Sequence, residues 1–315
     1  MRVVIALGGN AMVGPDGSAT PAAQIAAIQS AAPAIADVIA AGHEVVITHG
    51  NGPQVGNILT KQELTAAVLP PIPLDWCGAQ TQGTLGAELL DALQPLLASR
   101  GIDRPVAALV SRTLVDANDA GFSHPTKPIG RYLPADEAAV LVEHGQVWED
   151  RGARGWRRVV ASPEPLEILD APAAATLLAA GFVVVTSGGG GIPTVREVTA
   201  DGPVLRGVEA VIDKDLTAAV LARALAADVL VIATDVDNAI VGFGTPNARP
   251  LGAVTVAELR AHADAGEFTS GSMGPKVEAV LRFVAAGGRM GSITSLSLIA
   301  EAVVGRAGTV VVGNP

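Results

Sequence analysis

The stretch from residue 183 to residue 193, VVVTSGGGGIP, joins a run of β-branched residues to four consecutive glycines. β-branched residues favour strands, and glycine lets backbone N–H groups approach a ligand without an intervening Cβ. The pattern therefore predicts a strand that ends in a loop able to approach a phosphate. A Walker-type loop would carry lysine in the sequence G-x-x-x-x-G-K-[ST]. No lysine stands beside these glycines, so the positive charge must come from elsewhere in the chain.

Short apolar runs ending in small or polar residues recur along the chain. The predicted strands cover residues 2–10, 43–52, 105–111, 182–191, 228–238 and 307–313, with a weaker candidate at 287–295. The predicted helices cover residues 21–41, 54–67, 79–99, 171–180, 215–227, 255–265, 274–286 and 295–304. Strands that alternate with helices favour a parallel sheet, and continuously apolar strands indicate that both faces are covered. We therefore predict an α/β fold, a three-layer αβα sandwich with an open, mainly parallel sheet.

Length, net charge and cysteine content limit the classes of protein to which the chain can belong. The 315 residues, 49% hydrophobic, suffice for one large α/β domain or two small ones. The net charge of −10 argues against nucleic-acid binding as the main function. Cys77 is the single cysteine, which excludes an intrachain disulfide and fits a reducing cytoplasm. The N-terminal MRVVIALGGNAM is too short in its apolar part for a signal peptide and is better interpreted as a first strand.

One segment interrupts the alternation of strands and helices. Residues 119–162 are richer in Pro, Gly, Arg and His than their surroundings and contain two of the three tryptophans. The segment is either an inserted subdomain, a small flap that protrudes from the sheet, or a long surface excursion with a hairpin. We favour the inserted flap, because structureless loops of this length are rare unless they are functional.

Four strand ends carry glycine-rich or polar motifs. They are LGGNA (7–11), THGNGPQVG (48–56), TSGGGGIP (186–193) and ATDVDNA (233–239). Ligands of open parallel sheets bind at the carboxyl ends of the strands, and the N-terminus of a following helix favours an anion. The motifs therefore predict a phosphate or carboxylate site. No G-x-G-x-x-G follows the first strand and no Walker A motif occurs in the chain, which disfavours a dinucleotide fold and a P-loop NTPase.

Lysine is scarce: the chain has four lysines against 17 arginines. Lys61 has the context of an ordinary helix surface, whereas Lys127, Lys214 and Lys276 lie in loop-like or helix-start contexts. All three could simply be solvated, as most lysines are. A cation at a helix N-terminus is unfavourable unless it shares an anion there. We therefore predict that Lys127, Lys214 and Lys276 converge on a polyphosphate.

Eight motifs together resemble the carbamate kinases of the amino acid kinase family. In order along the chain they are LGGNA, THGNGPQVG, PLDWCGAQTQG, KPIG, SGGGGIP, GVEAVIDKDLTAAVLA, ATDVDNA and GSMGPKVEA. Each motif alone is weak, but the ordered set, from residue 3 to the C-terminus, is specific. One departure is Thr245, which stands where some members have lysine and which bears on nucleotide affinity.

The resemblance implies reversible phosphoryl transfer between carbamoyl phosphate and ADP with Mg²⁺, often towards ATP at the end of arginine deimination. It implies catalytic roles for Lys127, Lys214, Asp215 and Lys276. It implies substrate contacts for Gly8, Gly9, Asn10, Gly50, Asn51, Gly52, Gly188, Gly189 and Gly190. It implies nucleotide contacts for Asp213, Thr234, Asp235, Met273 and Lys276. Phosphoryl transfer needs positioning and positive charge rather than covalent help, which suits this set.

The resemblance also sets expectations for organisation and partners. A single domain, residues 1–315, would bind carbamate or carbamoyl phosphate through about residues 1–205 and the nucleotide through about 206–315. Mg²⁺ would arrive with ATP or ADP, held by phosphate oxygens and water, so we expect no dedicated metal site in the protein. The expected protein is a cytoplasmic homodimer without nucleic-acid or membrane partners. His49 and Cys77 are interpreted as structural rather than catalytic.

Two alternatives remain open from the sequence. Another amino acid kinase family member could phosphorylate a small carboxylate, phosphonate or phosphate, since few residues decide the acceptor. A catalytically silent sensor could bind nucleotide or carbamoyl phosphate and regulate a partner. The sensor is disfavoured because a silent protein would be free to lose Lys127 or Lys214, and both are present.

Overall fold

An eight-stranded, mainly parallel sheet forms the centre of the molecule. The structure is a computed structural model that describes residues 1–9, 13, 19–268 and 272–314. Its strands, in chain order, are β1 (Arg2–Leu7), β2 (Glu44–His49), β3 (Val106–Ala108), β4 (Arg112–Leu114), β5 (Lys127–Leu133), β6 (Val147–Asp150), β7 (Trp156–Val160), β8 (Glu167–Ile168), β9 (Val183–Val185), β10 (Ile192–Thr199), β11 (Gly202–Gly207), β12 (Val229–Thr234), β13 (Ile240–Val241), β14 (Arg249–Pro250), β15 (Ala253–Thr255), β16 (Met290–Ser295) and β17 (Thr309–Val312).

Helices occupy most of the connections between the strands of the central sheet. They are α1 (Pro21–Ala40), α2 (Gly52–Thr65), α3 (Leu74–Ser99), α4 (Ala120–Ser123), α5 (Ala135–Glu143), α6 (Ala171–Ala179), α7 (Lys214–Ala224), α8 (Val256–Asp264), α9 (Met273–Ala285) and α10 (Ile299–Val303). Short 3₁₀ helices cover Gly152–Arg154, Gly188–Gly190 and Leu296–Leu298.

The strand order of the central sheet is β15-β17-β16-β12-β1-β2-β9-β3. Neighbouring strands are parallel except β16 and β17, which pair antiparallel. Three smaller sheets have the orders β11-β10-β4-β8, β13-β14 and β5-β7-β6. The prediction of an open, mainly parallel sheet is therefore confirmed.

Strand β1 shows how helices cover both faces of this sheet. Its residues Val4 and Ala6 pack in one core with α6, α7, α8 and α9. The alternate residues Val3, Ile5 and Leu7 pack in a second core with α1, α3 and α10. Because successive side chains of a strand point to opposite faces, a strand that is apolar throughout needs both layers. The predicted three-layer αβα arrangement follows.

Helix α1 is the one helix of the described residues long and apolar enough to cross a membrane by length and composition. Half of its most apolar window is buried inside the protein, and Ile28, Ile35 and Ile39 lie in the second core. Thr20 caps its first turn by accepting a hydrogen bond from the Ala23 N–H. These are the features of a core helix.

Residues 127–160 form a separate antiparallel sheet, β5-β7-β6, which we call the flap sheet. Leu133 and Trp148 of this sheet pack with Ala138 of α5 in a small core of their own. At the other end of the flap sheet, Ile129 and Val160 pack against α2 and α3. The flap sheet is thus attached to the body next to these two helices.

The structure differs from the sequence prediction in element bounds and in the smaller sheets. All seven predicted strands are present, the weaker one as β16, but the glycines after β9 lie outside the strand. Helix α3 begins at Leu74, five residues before the prediction, because Leu74 and Cys77 pack against the flap sheet and α2. The last predicted helix is split into a 3₁₀ turn and α10. The sheet β11-β10-β4-β8 was not predicted.

Candidate active site

Four predicted motifs meet at one edge of the central sheet. Strands β12, β1, β2 and β9 are adjacent and parallel, so their carboxyl ends lie side by side. Their ends carry Asp235, Gly8, Gly50 and the glycine loop of residues 188–191. The structure therefore brings together the positions at which an open parallel sheet binds its ligand.

The loops after β1 and β2 touch each other through their backbones. The Gly8 N–H donates to the Ala233 carbonyl at 2.7 Å, and the Gly50 N–H donates to the Leu7 carbonyl at 2.9 Å. A Cβ at Gly50 would lie 2.7 Å from the Cα of Gly9. The close approach requires glycine and leaves backbone rather than side chains at the surface of the site. Asn10, a predicted substrate contact, lies outside the described residues.

The glycine loop after β9 packs against the loop after β2. A Cβ at Gly188 would lie 2.3 Å from His49 Nε2, and one at Gly189 would lie 2.1 Å from Asn51 Nδ2. Gly189 also has a positive φ of 66°, so glycine is required for conformation and for space.

Side chains from outside the loop hold its carbonyl groups. Gln82 of α3 donates to the Gly188 carbonyl at 3.0 Å, and Thr113 of β4 donates to the Gly190 carbonyl at 2.8 Å. Of the three glycines of this loop that are predicted substrate contacts, Gly189 lines the cavity described below, whereas Gly188 and Gly190 are buried outside its lining. Ligand contact by Gly188 and Gly190 stays a prediction.

Asp213 links the flap sheet to the body. Its Oδ1 caps α7 by accepting from the N–H of Asp215 at 2.9 Å and of Leu216 at 3.3 Å. Its Oδ2 accepts from Lys127 Nζ of β5 at 2.7 Å. Burial acts to raise the pKa of Asp213, but the charge of Lys127 and these hydrogen bonds hold the pKa below its usual value. Asp213 therefore stays ionised and holds Lys127 at the site.

Asp215 holds the other two predicted lysines. It is 3% exposed, and its Oδ1 accepts from Lys214 Nζ while its Oδ2 accepts from Lys276 Nζ of α9 at 3.1 Å. Burial lowers the pKa of Lys214, which Asp215 opposes and the neighbouring charge of Lys276 reinforces. Lys276 also donates to the Ser272 carbonyl at 3.3 Å. Two ammonium groups are thus placed side by side by one buried carboxylate.

These groups surround a cavity of about 490 Å³, which we call the central cavity. Its polar lining includes Gly8, Gly9, Gly50, Asn51, Gly52, Gly189, Lys127, Arg157, Asp213, Lys214, Asp215, Thr234 and Lys276. A second cavity of about 500 Å³, the acceptor-side cavity, adjoins it between α2, α3 and the flap sheet. No acidic residue of the described chain lines the acceptor-side cavity. The two cavities share Asn51, Gly52, Pro53, Lys127, Pro128, Arg157, Gly189 and Val211.

Arg157 is a candidate site residue that the sequence reasoning missed. It lies on β7 and lines both the central and the acceptor-side cavity. Its Nε is buried and has no hydrogen-bond acceptor among the residues that the structure describes. The only signal in the sequence was the pair of arginines in WRRVV within the predicted flap, and that signal could not say which of the two faces the site.

A third, apolar cavity of about 190 Å³ lies on the other side of the central cavity, beyond Thr234. It collects Thr234, Asp235 and Met273, three of the predicted nucleotide contacts. Its apolar walls also include Ile240, Phe243 and Phe268, which the sequence reasoning missed. The other two predicted nucleotide contacts, Asp213 and Lys276, lie in the central cavity.

Two hydrogen bonds fix the loop of residues 242–245, which lies beside the apolar cavity. The Gly242 N–H donates to Glu267 at 2.7 Å, and Thr245 Oγ1 donates to the Gly242 carbonyl at 2.7 Å. Thr245 is exposed and is not part of the cavity lining. Phe243, between them, is 69% exposed at the cavity wall.

The remaining candidates have structural positions. His49 is buried beneath the glycine loop, and its Nδ1 donates to the Gly50 carbonyl at 3.0 Å. Burial lowers the pKa of His49 to about 4, so the ring is neutral. Cys77 is buried, and Lys61 is exposed on α2, outside these cavities. No group of three His, Cys, Asp or Glu side chains in the described part of the chain could hold a metal ion.

Comparisons with known proteins agree over nearly the whole chain. The family model described as "Amino acid kinase family" matches residues 1–295. The carbamate kinase of Thermococcus kodakarensis is 46% identical over 99% of this chain and 99% of its own length. The carbamate kinase-like protein YqeA of Escherichia coli is 45% identical over 98% of each chain. The solved structure of Giardia lamblia carbamate kinase bound to AMP-PNP is 40% identical, with a TM-score of 0.92 over 99% of this chain and 98% of that one.

Proposed function

This chain belongs to the amino acid kinase family, and within that family we propose that it is a carbamate kinase. The reaction is the reversible transfer of a phosphoryl group between carbamoyl phosphate and ADP, which gives ATP and carbamate. The observation that carries the proposal is the convergence of Lys127, Lys214 and Lys276 on one cavity at the carboxyl ends of the parallel strands. Full-length similarity to carbamate kinases supports it.

Three ammonium groups suit the charge that phosphoryl transfer must stabilise. An oxygen of the ADP β-phosphate attacks the phosphorus of carbamoyl phosphate, the bond from phosphorus to the carbamoyl oxygen breaks, and carbamate leaves as an anion with the electron pair. Negative charge on the transferred group and on both flanking oxygens needs preorganised positive charge. Asp215 orients Lys214 and Lys276, and Asp213 orients Lys127, before substrate arrives. We assign these three pairings to transition-state stabilisation.

We propose that the carbamoyl end lies between the glycine loops and the flap sheet. The backbone of Gly8, Gly9 and Gly50 lines the central cavity, and Asn51 and Gly189 line both cavities. Lys127 and Arg157 enter from the flap sheet, so the segment 119–162 would act as a flap that covers the acceptor. Among the described residues, the lining of the acceptor-side cavity contains Lys127, Arg131 and Arg157 but no Asp or Glu, and this positive charge favours an anionic acceptor there.

We propose that the nucleotide spans the central and apolar cavities. The apolar walls at Phe243 and Met273 suit a base, Thr234 and Asp235 follow at the end of β12, and Lys276 stands where the phosphates would begin. This division agrees with substrate binding by about residues 1–205 and nucleotide binding by about residues 206–315.

Mg²⁺ would be held by the nucleotide rather than by a protein cage. The two carboxylates that line the central cavity, Asp213 and Asp215, are both committed to lysines. Phosphate oxygens and water are the ligands that Mg²⁺ prefers in such sites, and when bound the ion neutralises phosphate charge. The residues present fit a metal that arrives with ATP or ADP.

We further propose a cytoplasmic homodimer that acts at the end of arginine deimination. The single cysteine, Cys77, is free and buried, which suits a reducing compartment. Light scattering of the purified protein would test the oligomeric state, since a monomer mass would contradict the dimer.

The proposal is tested by mixing the purified chain with carbamoyl phosphate, ADP and Mg²⁺ and following ATP. We expect rapid ATP formation, which Lys214→Ala lowers by about 10²–10³-fold in kcat. Lys61→Ala is the matched control, because this lysine is exposed and outside the cavities. A kcat of Lys214→Ala near the wild-type value would contradict the site assignment.

A wild-type protein that forms no ATP would contradict carbamate as the acceptor. The acceptor-side cavity, at about 500 Å³, has room for a larger molecule than carbamate. A screen of small carboxylates, phosphonates and phosphates with ATP would then identify the acceptor of this kinase.

A further inference from the structure

The Arg157 guanidinium is held by a tyrosine ring instead of a carboxylate. Its Cζ lies 5.0 Å from the centroid of the Tyr132 ring, and its Nη1 donates to Tyr132 Oη at 3.3 Å. Glu149 of β6 lies directly opposite Arg157 but forms an ion pair with Arg151. No carboxylate of the described residues lies within ion-pair distance of Arg157. Two other arginines of the flap sheet have carboxylate neighbours: Arg131 pairs with Glu63, and Arg158 lies 3.9 Å from Glu209.

Strand pairing fixes this contact. Tyr132 of β5 lies directly opposite Arg157 of β7, and Ile129 lies opposite Arg158. The two residues between Ile129 and Tyr132 have no partner in β7, so the strand bulges there. A bulge re-aims the side chains that follow it. The bulge contains Gly130 at a φ of 65°, a conformation that glycine adopts without strain.

The nature of the partner matters for the charge of the site. A carboxylate would orient a guanidinium but would also cancel its charge, as Glu63 does for Arg131. An aromatic face orients the guanidinium through the ring quadrupole and leaves the full positive charge available. Tyr132 is the only tyrosine in the chain, and the positively charged guanidinium groups of Arg154 and Arg157 beside its phenol lower the pKa of that group.

We propose that Tyr132 is a positioning residue that holds Arg157, with its charge uncompensated, towards the phosphoryl group at the boundary of the central and acceptor-side cavities. The inference rests on the proposed phosphotransferase function, because it assigns Arg157 an anionic partner. It adds a specific role for a residue that does not itself line either cavity.

A double-mutant cycle tests the proposal. The variants are Tyr132→Leu, Tyr132→Phe, Arg157→Met and Tyr132→Leu/Arg157→Met. We expect Tyr132→Leu to raise the KM for carbamoyl phosphate and lower kcat/KM by roughly 5- to 30-fold, the range between a strong exposed and a desolvated cation–π contact, since both residues are half-buried. Tyr132→Phe keeps the ring and should lose only about 2- to 3-fold. The KM for ADP should stay unchanged, which separates positioning from a general loss of folding.

The decisive comparison is made in the Arg157→Met background. If Tyr132 acts through Arg157, Tyr132→Leu has no further effect there, within about twofold. Val147→Ala, on the exposed edge strand β6 of the same sheet, is the control and should match wild type. The proposal would be overturned if the loss of kcat/KM in the double variant equalled the product of the losses in the two single variants. It would also be overturned if Tyr132→Leu raised the KM for carbamoyl phosphate and the KM for ADP equally.

Binding of inorganic phosphate, measured by calorimetry, gives a readout independent of turnover. Tyr132→Leu should weaken phosphate binding in wild type and leave it unchanged in the Arg157→Met background; equal weakening in both would overturn the positioning role. A wild-type protein that binds phosphate in this way but forms no ATP from carbamoyl phosphate would contradict the proposed reaction and leave the role of Tyr132 supported.

Discussion

Replacing Asp215 with asparagine removes the one negative charge between two lysines. The Asp215 side chain is 4% exposed, that of Lys276 is 6% exposed and that of Lys214 is 14% exposed. At an effective dielectric constant of about 20, two charges 3.1 Å apart attract each other by about 5 kcal/mol. Asparagine keeps a hydrogen-bond acceptor but not the charge, so Asp215→Asn leaves two buried ammonium groups facing each other.

We expect Asp215→Asn to lower the free energy of unfolding by about 3–5 kcal/mol, the loss typical of breaking a buried ion pair by removing one partner. Deprotonation of Lys214 becomes easier because Asp215 no longer opposes the effect of burial on its pKa. We expect kcat to fall by about 10²–10³-fold, since the two ammonium groups lose the carboxylate that orients them.

Urea unfolding, followed by circular dichroism with and without AMP-PNP, measures the first effect. ATP formation measures the second. The phosphates of a bound nucleotide supply the missing negative charge, so AMP-PNP should stabilise the variant at least as much as wild type. Asp37→Asn is the matched control, because Asp37 pairs with Arg100 on the surface and such pairs contribute about 0–1 kcal/mol. An unfolding free energy within 1 kcal/mol of wild type, together with a kcat within about threefold, would refute the reasoning.

Three further predictions concern pH, packing and nucleotide binding. Because burial lowers the pKa of His49 from 6.5 to about 4, the unfolded chain takes up this proton first as the pH falls, and stability is lost progressively from pH 6.5 to about 4. The unfolding free energy should drop by about 3 kcal/mol between pH 6.5 and about 4. The variant His49→Gln should lose this dependence of the unfolding free energy on pH, whereas the control His124→Gln, at an exposed histidine, should keep it. Gly50→Ala should lower the free energy of unfolding, measured in urea, by about 1–3 kcal/mol, because the new Cβ would lie 2.7 Å from the Cα of Gly9. Gly83→Ala is the control and should be neutral or slightly stabilising, because a Cβ there would have no atom within 4 Å. Phe243→Ala should raise the KM for ADP by roughly 10-fold with little change in kcat, as expected for loss of an aromatic wall; an unchanged KM would exclude Phe243 from the nucleotide site.

Local patterns predicted most of the central sheet. Each predicted strand recurs as a strand because a run such as Val229–Thr234, buried throughout, carries its own signal of a doubly covered strand. Helix α9 was likewise predicted within one residue at each end, since its apolar residues repeat with the helical period. Strands β4 and β8 escaped prediction because they have three and two residues and depend on partners distant in sequence. Strands β10 and β11 are longer, but many of their residues are exposed, so they lack the continuous apolar run by which the other strands were found.

The residue types of the site were also readable from the sequence. Lysine was rare enough that Lys127, Lys214 and Lys276 could be singled out, and the structure places all three on the central cavity. Arg157 could not be singled out among 17 arginines. Its orientation depends on the register between β5 and β7 and on the bulge at Gly130, which no local pattern specifies.

The sequence by itself determined the layered α/β architecture, the strand ends that carry glycine and the small set of lysines. Hydrophobic period and residue scarcity are properties of the chain alone, so no partner was needed to detect them. Tertiary structure alone decided which carboxylate holds which lysine, with Asp215 between Lys214 and Lys276 and Asp213 on Lys127. It also decided that Gly188 lies against His49 and Gly190 against Ile212. Such pairings depend on distances between elements far apart in the chain, and these are set only when the sheet and its helices pack.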